Sequence, residues 1–127
     1  MLSINMLNML KISSVYIMSV FYVSVGIDHF RRPEWYVEIV PPFLPYKLEL
    51  VLISGVAEVI LGFMLLYPKK RFLAGNGLIL LLILVYPANI YLAYTNGAAL
   101  NTSPLIAWGR LPFQFVFIGI AYIHSKL

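Results

Sequence analysis

Glu58 stands inside an apolar run, LVLISGVAEVILGFMLLY, where a carboxylate must either find a partner or take up a proton. Ser54 and Gly62 lie four residues to either side of it and Gly55 lies beside Ser54, so one face of a helix here is polar and small. Such a face points at another helix. Three other stretches carry comparable groups. His29 closes a stripe of Ser19, Tyr22 and Gly26, Asn89 stands in PANIY, and Arg110 and Gln114 share a face of WGRLPFQ. Pro87 frees the carbonyl of Ile83 and Pro112 that of Trp108. In a membrane such breaks are tolerated where protein or a lined cavity satisfies the backbone, so both segments read as cavity walls. Glu58, Arg110, Gln114, Asn89, His29, Tyr22 and Trp108 are therefore the candidate ligand-binding residues, able to hydrogen-bond a polar head while Tyr and Phe side chains hold an apolar tail.

Depth decides which of these groups can meet. Glu58 lies about 12 residues into its helix, roughly 18 Å along a path of about 30 Å. Arg110 is the only base within a spanning segment whose register brings it toward Glu58, so the expectation is an ionised Glu58 paired with Arg110, directly or through Gln114 or a water. The same pair also reads as a structural lock on helix register, and His29 as a cap on a helix C-terminus. No residue is assigned a catalytic role. The two histidines, His29 and His124, fall at opposite ends of the membrane, so no metal site is expected. Cysteine is absent, which excludes disulfides, a dithiol relay and an iron–sulfur cluster. Any redox chemistry must be borrowed, because the chain has no cofactor motif of its own.

The elements that position these groups follow from composition. Of 127 residues, 61% are hydrophobic and 11% charged, with a mean hydropathy of +0.88. Soluble domains carry about a quarter charged residues. An all-α integral membrane protein is expected, a four-helix transmembrane bundle in one domain, with spans at about 9–30, 46–67, 72–94 and 104–124. The PKKR turn at 68–71 is so short that the second and third spans must be antiparallel neighbours. Lys11, Lys69, Lys70, Arg71 and Lys126 fall on one side with no acid, whereas Arg31, Arg32, Lys47 and Arg110 fall on the other among Asp28, Glu34, Glu38 and Glu49. Bases favour the cytoplasm, which places both termini and the PKKR turn there, in a bacterial cytoplasmic (inner) membrane. The net charge of +4 suits lipid headgroups better than nucleic acid.

Between the first two spans, residues 29–45 (HFRRPEWYVEIVPPFLP) form a structured cap. Pro33 suits the first position of a short interfacial helix over PEWYVEIV, which Pro41 and Pro42 end. Trp35 and Tyr36 suit the interface. In the last connection, Thr102 or Ser103 caps a helix that begins at Pro104, and Asn101-Thr102-Ser103 fits the N-glycosylation pattern.

His29-Phe30, Pro33, Tyr36, IVPPFLP at 39–45, Ser54-Gly55, Glu58, Leu61-Gly62, PANIY at 87–91, Trp108, Arg110-Leu111-Pro112 and Gln114 together resemble the DoxX-like membrane proteins, over nearly the whole chain. The resemblance implies a four-helix membrane fold, in a superfamily named for a subunit of an archaeal thiosulfate:quinone oxidoreductase. Its relatives include redox-associated maturation proteins and eukaryotic proteins that help receptors assemble or leave the endoplasmic reticulum. It points to a membrane subunit or accessory protein for redox chemistry, holding a quinone headgroup or similar lipid-soluble molecule and working with a membrane or soluble redox partner, or as a homo-oligomer. The competing expectation is a non-enzymatic assembly or scaffold protein whose polar cluster is structural. A transporter comes third, since four helices could make a path only as an oligomer and no internal repeat is evident.

Overall fold

The computed structural model describes residues 3–100 and 102–127. Asn101, and with it the acceptor of the glycosylation pattern, lies outside them. The described residues form five α-helices and no strand: α1 (Ile4–Arg31), α2 (Pro33–Val37), α3 (Lys47–Met64), α4 (Arg71–Tyr94) and α5 (Pro104–Ser125), with 3₁₀ turns at Pro68–Lys70 and Ala98–Leu100.

Local chemistry sets the helix ends. Ser3 Oγ accepts from the Met6 amide and Ser103 Oγ from the Ile106 amide, each satisfying a free donor of a first turn, and Pro104 opens α5 as expected. Pro33 opens α2, but that helix stops at Val37 and not at Val40. A residue before proline is driven out of the helical region, and Val40 precedes Pro41, so the chain uncoils through two 3₁₀-type bonds, Ile39 to Tyr36 and Val40 to Val37. Tyr46 then enters α3 with φ 57°. Pro87 and Pro112 both remain inside continuous helices.

Three helical stretches are long and apolar enough to cross a membrane: Ile4–Arg31, Pro68–Tyr94 and Pro104–Ser125. The expected second span is the exception. α3 has 18 residues, ends at Met64, and includes Lys47, Glu49 and Glu58. The distribution of polarity is inverted relative to a soluble protein. Ile17, Val20, Leu84 and Phe115 are exposed, while Ser19, His29, Asn89, Gln114 and His124 are buried.

Packing divides the helices into two close pairs, α1 with α3 and α4 with α5, joined along α3 and α4. At the end that holds the PKKR turn, the pairs close on a core of Val15, Met18, Leu65, Ala74, Leu78 and Ala121. There the His124 ring nitrogen Nε2 lies 2.9 Å from Ser14 Oγ, and Phe21 stacks on Phe117 with centroids 5.5 Å apart. At the other end Ile39 of the cap packs with Leu92 of α4 and Ala107 of α5.

Candidate functional site: a capped cavity between two helix pairs

The α1–α3 crossing is held by absent side chains. A Cβ on Gly26 would stand 2.7 Å from the Gly55 carbonyl oxygen, and one on Gly55 would stand 2.8 Å from His29 Cβ. The Ser19 hydroxyl donates to the Gly62 carbonyl at 2.7 Å. The small-residue face of α3 is thus packed on α1, as its spacing predicts. This approach sets the His29 ring against α3. Nδ1 donates to the Val25 carbonyl at 2.7 Å, since a carbonyl only accepts, and the same nitrogen lies 3.4 Å from Glu58 Oε2. Glu58 Oε2 is buried and receives no hydrogen bond; the Tyr22 hydroxyl is in the same state.

The α4–α5 pair is held by an amide clamp. Asn89 Nδ2 donates to Gln114 Oε1 at 2.8 Å, and Gln114 Nε2 donates to the Leu82 carbonyl at 2.8 Å. That carbonyl is one residue from Ile83, whose oxygen loses its partner to Pro87. The clamp therefore bonds beside the break, at Leu82 and not at the carbonyl that Pro87 frees.

The cap returns over the end of α1. Tyr36 stacks on His29 with ring centroids 3.9 Å apart, and its hydroxyl donates to Asp28 Oδ2 at 2.7 Å. Asp28 also accepts from Arg31 at 2.8 Å and from Arg32 at 2.7 Å. Burial, and then the bond to Asp28, push the Tyr36 phenol above its ordinary pKa.

Between the pairs, under the cap, lies a cavity of about 760 Å³. Phe21, Leu81, Val85, Phe113 and Phe117 supply apolar wall, Tyr36, Ile39, Val40 and Pro41 supply the cap side, and Glu58, His29, Tyr22, Arg110, Asn89 and Gln114 are among its polar members, with Ser54. Those six expected site residues come together in one place. Trp108 does not join them. It is 53% exposed, and its indole Nε1 donates to Asn96 Oδ1 at 3.0 Å, tying the start of α5 to the preceding connection.

The expected pairing of Glu58 with Arg110 is not formed. Among the described residues the ion pairs are His29 with Glu58 and Asp28 with Arg31 and Arg32, and Arg110 enters none. Both groups reach the cavity, but from different helix pairs, and Gln114, the expected bridge, is already engaged with Asn89 and Leu82. Tyr36 is the residue that sequence reasoning left out of the site. Its only signal is Pro33, which restarts the helix and brings the residue one turn later back onto His29. Among the described residues no three His, Asp or Glu side chains gather as a metal site would require.

The chain belongs to the family described as a domain of unknown function, DUF8561, which it matches over residues 18–125. Every residue that lines the cavity falls within that stretch. No curated protein and no solved structure matches the chain.

Proposed function

We propose that this DUF8561 member is a four-span integral membrane protein whose capped cavity binds a lipid-soluble small molecule by its polar head, a quinone-type headgroup or similar, and that it serves redox chemistry as a membrane subunit or accessory protein. The observation that carries this reading is the cavity: mostly apolar, about 760 Å³, with two buried polar atoms, Tyr22 Oη and Glu58 Oε2, left without partners on its wall. Native interiors leave few such atoms, and those they leave call for an explanation such as a ligand.

The fourth span is α3. Its 18 residues give about 27 Å of helix, close to a hydrocarbon core of about 30 Å. Lys47 and Glu49 fall at its first turn, where headgroups can reach them. Glu58 is the one acid deep in the helix, and its side chain is only 13% exposed. Lys69, Lys70 and Arg71 then face the cytoplasm of a bacterial inner membrane, and the cap faces outward. Without cysteine or a cofactor motif, the electrons reside on the bound molecule or on a partner protein.

A second reading, a non-enzymatic assembly or scaffold protein, is favoured by the amide clamp, because Asn89 and Gln114 engage each other and the backbone at Pro87. Mass spectrometry of gently purified protein separates the two. A stoichiometric lipid-soluble molecule supports the first, and a co-purifying polypeptide beside an empty cavity supports the second.

A further inference from the structure

The cavity wall carries a particular imbalance of donors and acceptors. The Nδ1 proton of His29 goes to Val25, the Tyr36 hydroxyl proton goes to Asp28, and the amides of Asn89 and Gln114 engage Gln114 and Leu82. None of these donates a hydrogen bond to Glu58 Oε2, although His29 Nδ1 stands 3.4 Å from it. Tyr22, 4% exposed, offers a hydroxyl with no acceptor. The two orphans stand on facing helices of one crossing and line one cavity. Tyr22 Cβ lies 3.2 Å from where a Cβ on Gly62 would stand, and Gly62 is one turn along α3 from Glu58.

Held as a carboxylate by a donor from the ligand, Glu58 only accepts, whereas a phenol can donate and accept. A ligand carbonyl accepts from Tyr22 and gives nothing to Glu58. An ammonium gives to Glu58 and accepts nothing from Tyr22. A hydroxyl does both with one oxygen. We propose, on the reading of the cavity as a small-molecule site, that its ligand is an apolar molecule ending in a hydroxyl, which donates to Glu58 Oε2 and accepts from the Tyr22 hydroxyl, so that a hydroquinone or lipid alcohol is bound in preference to a quinone. Arg110, which enters no ion pair and belongs to the other helix pair, is free to meet a second oxygen on the same molecule.

The test is equilibrium binding to the whole protein in nanodiscs, without oxygen, of three probes on one skeleton: decyl-ubiquinol, decyl-ubiquinone and the dimethyl ether of the quinol. Dodecanol serves as the lipid-alcohol arm. The quinol should bind about tenfold more tightly than either the quinone or the ether, as expected when a buried acceptor loses its donor. Competition by dodecanol supports a general alcohol site, and no competition supports one for a phenolic hydroxyl. Tyr22→Phe should lower quinol affinity about tenfold, because the ligand oxygen loses the hydroxyl that donates to it. Glu58→Gln supplies an amide donor and should abolish the preference for quinol over quinone, an outcome that loss of fold would not produce. Equal binding of quinol, quinone and ether, or tighter binding of the quinone, overturns the hydroxyl assignment and leaves the cavity as a binding site. Failure of every probe to bind removes the binding reading itself, and this inference with it.

Discussion

Asn89 and Gln114 form one buried amide pair across α4 and α5, and the free amide hydrogens of Gln114 reach the Leu82 carbonyl beside the break made by Pro87. A proline that would weaken α4 on its own is thereby turned into an attachment point for α5. Gln114→Leu leaves the Asn89 amide without its acceptor and removes the bond to the Leu82 carbonyl, and should destabilise the detergent-solubilised protein by about 1–3 kcal/mol. Asn89→Leu orphans only one acceptor and should cost less. Because both changes break the same bond between Asn89 and Gln114, the loss of the double variant in thermal unfolding should fall short of the sum of the singles. Strict additivity would show that the pair does not act as a unit.

The glycines divide into two classes that mutation should separate. Gly26→Ala places a methyl 2.7 Å from a backbone oxygen of α3, whereas at Gly119 a methyl meets nothing within 4 Å. The first should destabilise by about 1–3 kcal/mol, since two helix backbones must move apart. The second should be neutral or slightly stabilising, because alanine favours helix. Equal unfolding temperatures for the two variants would contradict the close α1–α3 crossing.

Tyr36 links the cap to α1, and its phenol is held neutral by burial and by the bond to Asp28. A pKa raised in the folded state makes this contribution complete below the ordinary tyrosine value of about 10, and lost as pH rises above it. In tyrosine-labelled protein, the resonance that disappears in Tyr36→Phe should titrate at higher pH than exposed tyrosines. Amide exchange across 35–40 should be faster in that variant. A Tyr36 resonance that titrates at the ordinary value would mean that the cap is not pinned there.

Much of this arrangement is legible in the sequence. Apolar run length locates α1, α4 and α5, the four-residue spacing of Ser54, Glu58 and Gly62 marks the face of α3 that meets α1, and Ser103-Pro104 marks the start of α5. Counting residues along a helix gives depth but not direction around the axis. Glu58 and Arg110 were for that reason expected to pair, although they approach the cavity from different helix pairs. Direction around the axis also decides that Gln114 meets Asn89, a contact no spacing within either helix encodes. Tyr36 was missed because its place depends on the turn at Arg32, where φ is −135° and ψ 59°. Trp108, expected in the site as part of the WGRLPFQ wall, is exposed and bonds Asn96 in the preceding connection.

Orientation is open to a clean test, because the chain has no cysteine of its own. Cysteines introduced at Lys69 or Lys126 should react with a membrane-impermeant maleimide only once the cytoplasmic face is opened. Labelling of Lys69→Cys on intact cells would invert the topology without altering the bundle.

The central claim, that the capped cavity holds a lipid-soluble molecule, is tested most directly by photolabelling with an azido-substituted quinol analogue and sequencing of the modified peptides. Labels should fall on cavity-lining positions of α1 and α3, among them Tyr22, Ser54, Glu58 and Leu61, and should fall sharply in Ala57→Phe, which puts a ring into the cavity. Labels confined to outward-facing residues such as Ile17, Leu73 and Phe115, with no change in Ala57→Phe, would contradict the account.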